Sequence, residues 1–157
     1  MSGFKIGSKV PDFHFECTDP AIHSFKDLAG KNIVLYFYPK DNTPGCTLEG
    51  KEFKILHEEF KKLNTVILGV SRDPISSHTK FCDKLGLSFP LIADEKGELC
   101  TYFDVSIKNW LLRKIMSVSR TTFYIDQQGV VKQEWRNVRA RGHANEVLEY
   151  AKLNSLY

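Results

Sequence analysis

The chain has 157 residues, of which 42% are hydrophobic and 26% charged, and its net charge is +3. This length favours one domain, residues 1–157, and the composition is that of a folded globular protein. The charge is too small to indicate nucleic-acid binding, and we interpret the most basic cluster, Lys132, Arg136, Arg139 and Arg141, as a solvated strand and loop face.

Hydrophobic periodicity predicts alternating strands and helices in the first part of the chain. The region up to about Leu28 is irregular and is expected to form a small hairpin or an extended cover. The elements that follow are predicted as strand 32–38, helix 44–63, strand 65–71, helix 74–85, strand 89–93 and a short helix 97–103. Parallel strands joined by right-handed helical crossovers follow from this order.

The last part of the chain has a different pattern. Residues 120–126 and 129–135 are predicted to form a hairpin, and a final helix is expected over 144–153. Antiparallel strands are thus added to parallel ones. The predicted fold class is α/β, with a mixed central sheet, helices on both faces and an N-terminal extension, which is the layout of the thioredoxin-like fold.

Apolar stretches of the sequence are short. The longest, such as 33–38, have the length of a strand and not the roughly 20 residues of a membrane-spanning helix. Residues 1–10 contain no apolar core of signal-peptide length and no cleavage-like site. We therefore expect a cytoplasmic protein without a membrane partner.

Four cysteines need an explanation in such a compartment: Cys17, Cys46, Cys82 and Cys100. A stable disulfide framework is not expected in reducing conditions. A metal site is poorly supported, because the sequence has no Cys-x-x-Cys pair and no two histidines at a helical ligand spacing. Buried inert thiols and redox-active thiols both remain open.

The segment 38–47 (YPKDNTPGCT) carries the clearest functional pattern. It joins the end of a predicted strand to the first turn of a helix, where Cys46 lies. Free backbone N–H groups and the helix dipole stabilise an anion there. We expect Cys46 to be held as a thiolate, the nucleophilic form of cysteine. The alternative is that Cys46 is a small hydrophobic residue buried in the core, but a Pro- and Gly-rich helix start does not favour this.

Residues around this cysteine fit a reactive site. Pro39 and Pro44 have no backbone N–H to donate and restrict the loop, and they are expected to shield the sulfur. Thr43 precedes Cys46 by three residues, so its hydroxyl is expected to point over the thiol toward a bound oxygen atom. Gly45 lets a ligand approach the backbone closely.

The run YPKDNTPGCTLE resembles the active-site signature of peroxiredoxins, and its TPGCT core with Glu49 is similar in particular to the bacterioferritin comigratory protein, or Q-type, subfamily. The resemblance extends over nearly the whole chain. Its further segments are GSKVPDF at 7–13, SRD at 71–73, FPL at 89–91, RTTFYID at 120–126 and GH at 142–143, all in the family's order.

This resemblance implies roles for the site residues. Cys46 becomes the peroxidatic cysteine, and Arg120 resembles the arginine that family members place beside that sulfur. A fixed cation and hydrogen-bond donors stabilise the oxyanion that leaves when a peroxide bond is cleaved. Thr43 and the N–H groups of Gly45 and Cys46 would complete this set. Glu49 is expected to hold Arg120 in place, although a solvated helix face is an equal alternative.

A second thiol can condense with the sulfenic acid that the reaction leaves on the first cysteine. Many Q-type relatives have this resolving cysteine five residues further on, where the present chain has Lys51. Other members have it on the next helix, and Cys82 fits that place, with packing in the core as its alternative. Cys17 and Cys100 match no signature. Since bridged Cα atoms lie within about 7 Å, both helices would have to unwind.

The family also implies partners. A hydroperoxide is the expected substrate, thioredoxin or a glutaredoxin-like protein the expected reductant, and no cofactor is implied. A monomer is favoured over a dimer. Alternatives are a one-cysteine mechanism resolved by an external thiol, a redox sensor or chaperone, and a cysteine hydrolase, which would need a histidine beside Cys46. His57 and His78 are not obviously placed for that role.

One segment departs from the family. Relatives often have glycines in the loop before the arginine, but the stretch 107–116 has none. It contains an apolar cluster with helical spacing: Trp110, Leu111, Leu112, Ile115 and Met116. This pattern predicts a local helix packed on the sheet, or an exposed surface beside the active site that contacts lipid-type hydroperoxides, the reductase or a second subunit.

Overall fold

A computed structural model describes residues 4–113 and 116–154. Its strands are β1 (Glu16–Cys17), β2 (Asn32–Phe37), β3 (Thr65–Ser71), β4 (Leu91–Ala93), β5 (Thr121–Ile125) and β6 (Val131–Trp135). Its helices are α1 (Pro44–Lys62), α2 (Ile75–Leu85), α3 (Glu98–Tyr102), α4 (Trp110–Arg113) and α5 (His143–Asn154), and a 3₁₀ turn spans Phe25–Leu28. Among these, no helix is both long and apolar enough to span a bilayer.

One mixed sheet organises the molecule. Its strand order is β1-β4-β3-β2-β5-β6. Strands β2 and β4 both pair with β3 in parallel, and the other pairings are antiparallel. All residues of β2 are buried, as expected for a strand covered on both faces. The predicted fold class, a mixed thioredoxin-like sheet with helices on both faces, is confirmed.

Alternating side chains of β2 divide the core in two. Tyr36 packs against Phe53 of α1, with ring centroids 4.6 Å apart. Phe37 points to the opposite face, where it contacts Phe103 and Phe123. The N-terminal extension covers this second face, because Phe4 and its neighbours pack there and β1 adds to the sheet edge at β4.

Element ends follow local chemistry. Helix α2 stops at Gly86, whose positive φ of 64° suits glycine. Strand β4 begins at Leu91, two residues later than predicted, directly after Pro90, which has no N–H for a strand ladder. Strand β5 begins at Thr121, so Arg120 is the residue immediately before it.

The prediction of a helix packed on the sheet at 107–116 is wrong. Helix α4 has four residues, and Trp110, Leu111 and Leu112 are 66%, 56% and 47% exposed. A bridge between Ser106 and Val118 closes the base of this segment, which therefore leaves the sheet as a loop. Ile115 lies outside the described residues.

Candidate active site

Cys46 lies in the first turn of α1. Thr43 caps the helix with an extended backbone and Pro44 is the first helical residue. The first helical hydrogen bond runs from the N–H of Thr47 to the carbonyl of Thr43 (2.9 Å), so the N–H groups of Gly45 and Cys46 precede the helical ladder. Cys46 is only 2% exposed, and a substrate has to be small or narrow at this point.

Arg120 reaches this sulfur from the neighbouring strand. Its Nη2 lies 3.5 Å from the Cys46 Sγ, and its Nη1 donates to Glu49 Oε1 over 2.7 Å. Strand β5 runs antiparallel to β2 with Thr121 opposite Phe37. The start of β5 therefore lies beside the end of β2, which is also the edge from which the cysteine loop leaves the sheet.

Glu49 lies three residues after Cys46 on α1 and is fully buried. Burial raises the pKa of Glu49 to about 7, although Arg120 beside it acts to lower it. For Arg120, burial lowers the pKa, but Glu49 and the Cys46 sulfur raise it by more, so the guanidinium stays charged. Glu49 is thus in contact with Arg120 and is not part of a solvated helix face.

The neighbouring loop residues are arranged more specifically than the sequence indicates. The Thr43 hydroxyl donates to the carbonyl of Lys40 (2.8 Å), so its oxygen can act toward other groups only as an acceptor. A Cβ at Gly45 would lie 2.9 Å from Arg120 Nη2, so this glycine admits the guanidinium. Pro39 is half-buried in the loop, and its shielding role stays a prediction.

Cys82 is half-buried on α2, with its Sγ 3.8 Å from the Thr18 hydroxyl oxygen. Burial raises the pKa of the Cys82 thiol. Cys46 and Cys82 are both free thiols on different helices, each with its own neighbours. Cys17 and Cys100 are buried, and burial raises the pKa of each thiol. The structure therefore does not bring a second sulfur into bonding contact with Cys46.

Two histidines are the candidate bases of a hydrolase. His57 Nδ1 lies 2.6 Å from the Ser88 hydroxyl, and His78 Nδ1 lies 2.7 Å from Asp41 Oδ2. Neither has a hydrogen bond to Cys46, whose described partner is Arg120. Neither of these two histidines is therefore placed as the base that a cysteine hydrolase needs.

A buried polar cluster beside the loop is not anticipated by the sequence reasoning. Asp41 accepts hydrogen bonds from Tyr38, Ser77 and His78. Within the described ranges, one group has donor atoms close enough to surround a cation: those of Asp41, Asp73 and His78 lie within 4.8 Å of one another. Both nitrogens of His78 already have partners, so we interpret the cluster as hydrogen-bonded. The sequence signal that could have pointed to this cluster is the aspartate within the cysteine motif, Asp41.

Comparisons with known proteins agree with this geometry. The sequence model of the AhpC/TSA family matches residues 6–134. Peroxiredoxin Bcp of Bacillus subtilis is 42% identical over 149 residues, which cover 94% of this chain and 95% of the relative. The crystal structure of a PrxQ cysteine-to-serine mutant from Xylella fastidiosa superposes with a TM-score of 0.91 and 36% identity, covering 99% of both chains.

A further solved structure concerns activity in a relative. It describes the bacterioferritin comigratory protein of Xanthomonas campestris in a study of alkyl peroxide reduction. That protein is 40% identical to this chain, with a TM-score of 0.85 and coverage of 91% of this chain and 92% of the other.

Proposed function

The chain belongs to the AhpC/TSA family and is a peroxiredoxin, and from this we propose that it reduces hydrogen peroxide and organic hydroperoxides at Cys46. The observation that carries the proposal is the guanidinium of Arg120, 3.5 Å from a cysteine in the first turn of α1. The alkyl peroxide reduction studied in the Xanthomonas relative supports organic substrates. Residues 1–157 would form one domain of this type.

The chemistry follows from these contacts. The Cys46 thiolate attacks the terminal peroxide oxygen, an S–O bond forms and the O–O bond breaks. The departing alkoxide or hydroxide takes up a proton to give alcohol or water. Arg120 is fixed by Glu49 and stabilises the charge that develops on the departing oxygen. The N–H groups of Gly45 and Cys46 add donors, and Thr43 accepts from the peroxide hydroxyl.

We assign resolution to Cys82. Its thiol would condense with the Cys46 sulfenic acid, giving a disulfide and water. It is half-buried on a helix, whereas Cys17 lies in a sheet strand and Cys100 is fully buried in the core. Because bridged Cα atoms lie within about 7 Å of each other, the first turn of α1 and part of α2 would unwind. Thioredoxin, or a glutaredoxin-like donor, would reduce the disulfide, and a monomer suffices for this cycle.

Peroxide consumption with a thioredoxin system tests the proposal, comparing wild type with Cys46→Ser and Cys82→Ser. Cys46→Ser should lose all turnover. Cys82→Ser should still consume about one equivalent of peroxide per chain and then stop. Mass spectrometry of non-reduced peptides after one equivalent of peroxide should show a Cys46–Cys82 link in the wild type. A link from Cys46 to Cys17 or Cys100 would overturn the assignment of Cys82.

The other candidates give different results in the same assay. Full turnover of Cys82→Ser would indicate a one-cysteine mechanism resolved by an external thiol. Oxidation of Cys46 with very slow recycling by any thiol donor would indicate a redox sensor or chaperone.

A further inference from the structure

A buried hydrogen-bond cluster connects the active-site loop with helix α2. Its centre is Asp41, which accepts from Tyr38 (Oη to Oδ1, 2.6 Å), Ser77 (Oγ to Oδ2, 2.8 Å) and His78 (Nδ1 to Oδ2, 2.7 Å). The backbone N–H of Asp41 donates to Asp73 Oδ2 over 2.9 Å. Asp41 is 7% exposed and His78 is fully buried. One loop residue thus makes two hydrogen bonds to the start of α2 and one to Asp73, which precedes it.

The hydrogen-bond pattern defines the protons of this cluster. His78 Nε2 lies 2.9 Å from the carbonyl oxygen of Ile92, which can only accept, so Nε2 carries a proton. Nδ1 faces the Asp41 carboxylate. Burial raises the pKa of Asp41, but hydrogen bonds from His78 and Tyr38 lower it by more, so the carboxylate is ionised. His78 and Asp41 therefore form a buried hydrogen-bonded pair, and the imidazole ring is held at both of its nitrogens.

The pair connects the two segments that carry the cysteines of the proposed cycle. Asp41 precedes Cys46 by five residues in the loop, and His78 precedes Cys82 by four residues, one turn on the same side of α2. The loop and α2 have to separate or unwind before the two sulfurs can meet. That movement displaces Asp41 from His78, and breaking a buried pair of this kind is costly.

We propose that Asp41 and His78 are positioning residues that keep the peroxide-reactive arrangement folded and thereby slow the meeting of the Cys46 sulfenic acid with the Cys82 thiol. This inference rests on the assignment of Cys82 as the resolving cysteine. In that step the S–O bond of Cys46 breaks, an S–S bond forms, and the hydroxyl leaves with the thiol proton as water.

Disulfide formation competes with further oxidation of the Cys46 sulfenic acid. A second hydroperoxide can oxidise the sulfenic acid to a sulfinic acid and is itself reduced to an alcohol or water. This reaction needs the folded site around Arg120, whereas disulfide formation needs the unwound one. The Asp41–His78 pair therefore sets the ratio of the two products, and so the peroxide concentration at which the enzyme inactivates.

His78→Gln and Asp41→Asn test this directly. After rapid mixing with peroxide and acid quenching, intact mass measurement gives the rate of disulfide formation and the sulfinic fraction. Each variant should form the disulfide about tenfold faster, since a hydrogen bond to a charged group is lost. The peroxide concentration that gives half sulfinic acid should rise in proportion. The double variant should match the single ones, because all three lose the same pair.

Ser76→Ala is the matched control, since Ser76 is exposed in the same turn of α2. It should leave both rates unchanged. Tyr38→Phe and Ser77→Ala each remove one hydrogen bond to Asp41 and should shift the product ratio in the same direction by less. These milder variants decide the question if the substitutions of the pair itself prevent folding.

The outcomes distinguish failure of the Cys82 assignment from failure of the positioning role of Asp41 and His78. A wild type that forms no Cys46–Cys82 disulfide would overturn the assignment of Cys82. A disulfide that forms in all variants at the wild-type rate, with unchanged sulfinic fraction, would overturn the positioning role alone. Lower thermal stability with an unchanged product ratio would do the same, because it would leave the pair with only a structural role.

Discussion

Arg120 donates from Nη1 to Glu49 Oε1 over 2.7 Å, and this contact fixes the guanidinium whose other nitrogen lies 3.5 Å from the Cys46 sulfur. The Glu49 carboxylate is completely buried, and the cation beside it is the main group that offsets the free-energy cost of burying its charge. Arg120 thus serves two partners at once. The consequences of changing either partner differ in ways that can be measured.

Loss of the guanidinium should slow the oxidation of Cys46. We expect Arg120→Met to lower the second-order rate constant with peroxide by about 10²- to 10³-fold, because a fixed donor to the departing oxygen is lost. Arg120→Lys should recover only part of the rate, since lysine keeps the charge without the planar fork. Stopped-flow measurement gives these constants. Arg139→Ala removes an exposed positive charge and should have no such effect.

Glu49 should make stability depend on pH. Its pKa is about 7 in the folded protein against 4.5 for the free group. The folded state therefore keeps a proton that the unfolded chain has lost. The stabilisation from this group is complete below about pH 4.5 and disappears as pH rises through about 7, a change of about 3 kcal/mol. Urea unfolding across this range should show the decline in wild type and less of it in Glu49→Gln. Equal slopes for both proteins would contradict this.

Gly45→Ala should separate stability from activity. Alanine favours a helix over glycine by up to about 1 kcal/mol, but its Cβ would lie 2.9 Å from Arg120 Nη2. Displacing Nη2 from the sulfur should lower the rate of Cys46 oxidation by about 10- to 100-fold, while the Nη1 bond to Glu49 is kept and thermal stability with it. Gly50→Ala on the same helix meets its nearest atom at 3.4 Å and serves as the control. A Gly45→Ala enzyme with wild-type kinetics would show that Arg120 need not approach so closely.

The exposed apolar side chains of α4 give a further prediction. Trp110→Ala and Leu112→Ala should raise the KM for the reductant or for long-chain hydroperoxides, or change the oligomeric state. Unfolding free energy should change by no more than about 0.5 kcal/mol, because both residues are exposed, to 66% and 47%. Ile55→Ala, 77% exposed on α1, is the control. Unchanged kinetics and assembly in both α4 variants would exclude a contact surface there.

Local patterns of the sequence were sufficient for most of the fold. The apolar run 32–38 and the three- and four-residue steps along 44–63 depend on neighbours within the same element, and both elements form nearly as predicted. The α4 segment shows the limit of this reasoning. Helical spacing of apolar residues indicates a helix with an apolar face, but it does not say whether anything covers that face.

What the sequence by itself determined is the position of Cys46 in the first turn of a helix, because the end of a strand, Pro44 and the helical spacing that follows are all local signals. The family resemblance implied that Arg120 lies beside this cysteine, but only the tertiary structure shows how distant groups reach it. The antiparallel pairing of β2 with β5 brings Arg120 to the sulfur, burial turns Glu49 into a partner of that arginine, and the packing of α2 puts His78 on Asp41. Contacts between groups more than 30 residues apart depend on strand pairing and helix packing, and no local periodicity contains that information.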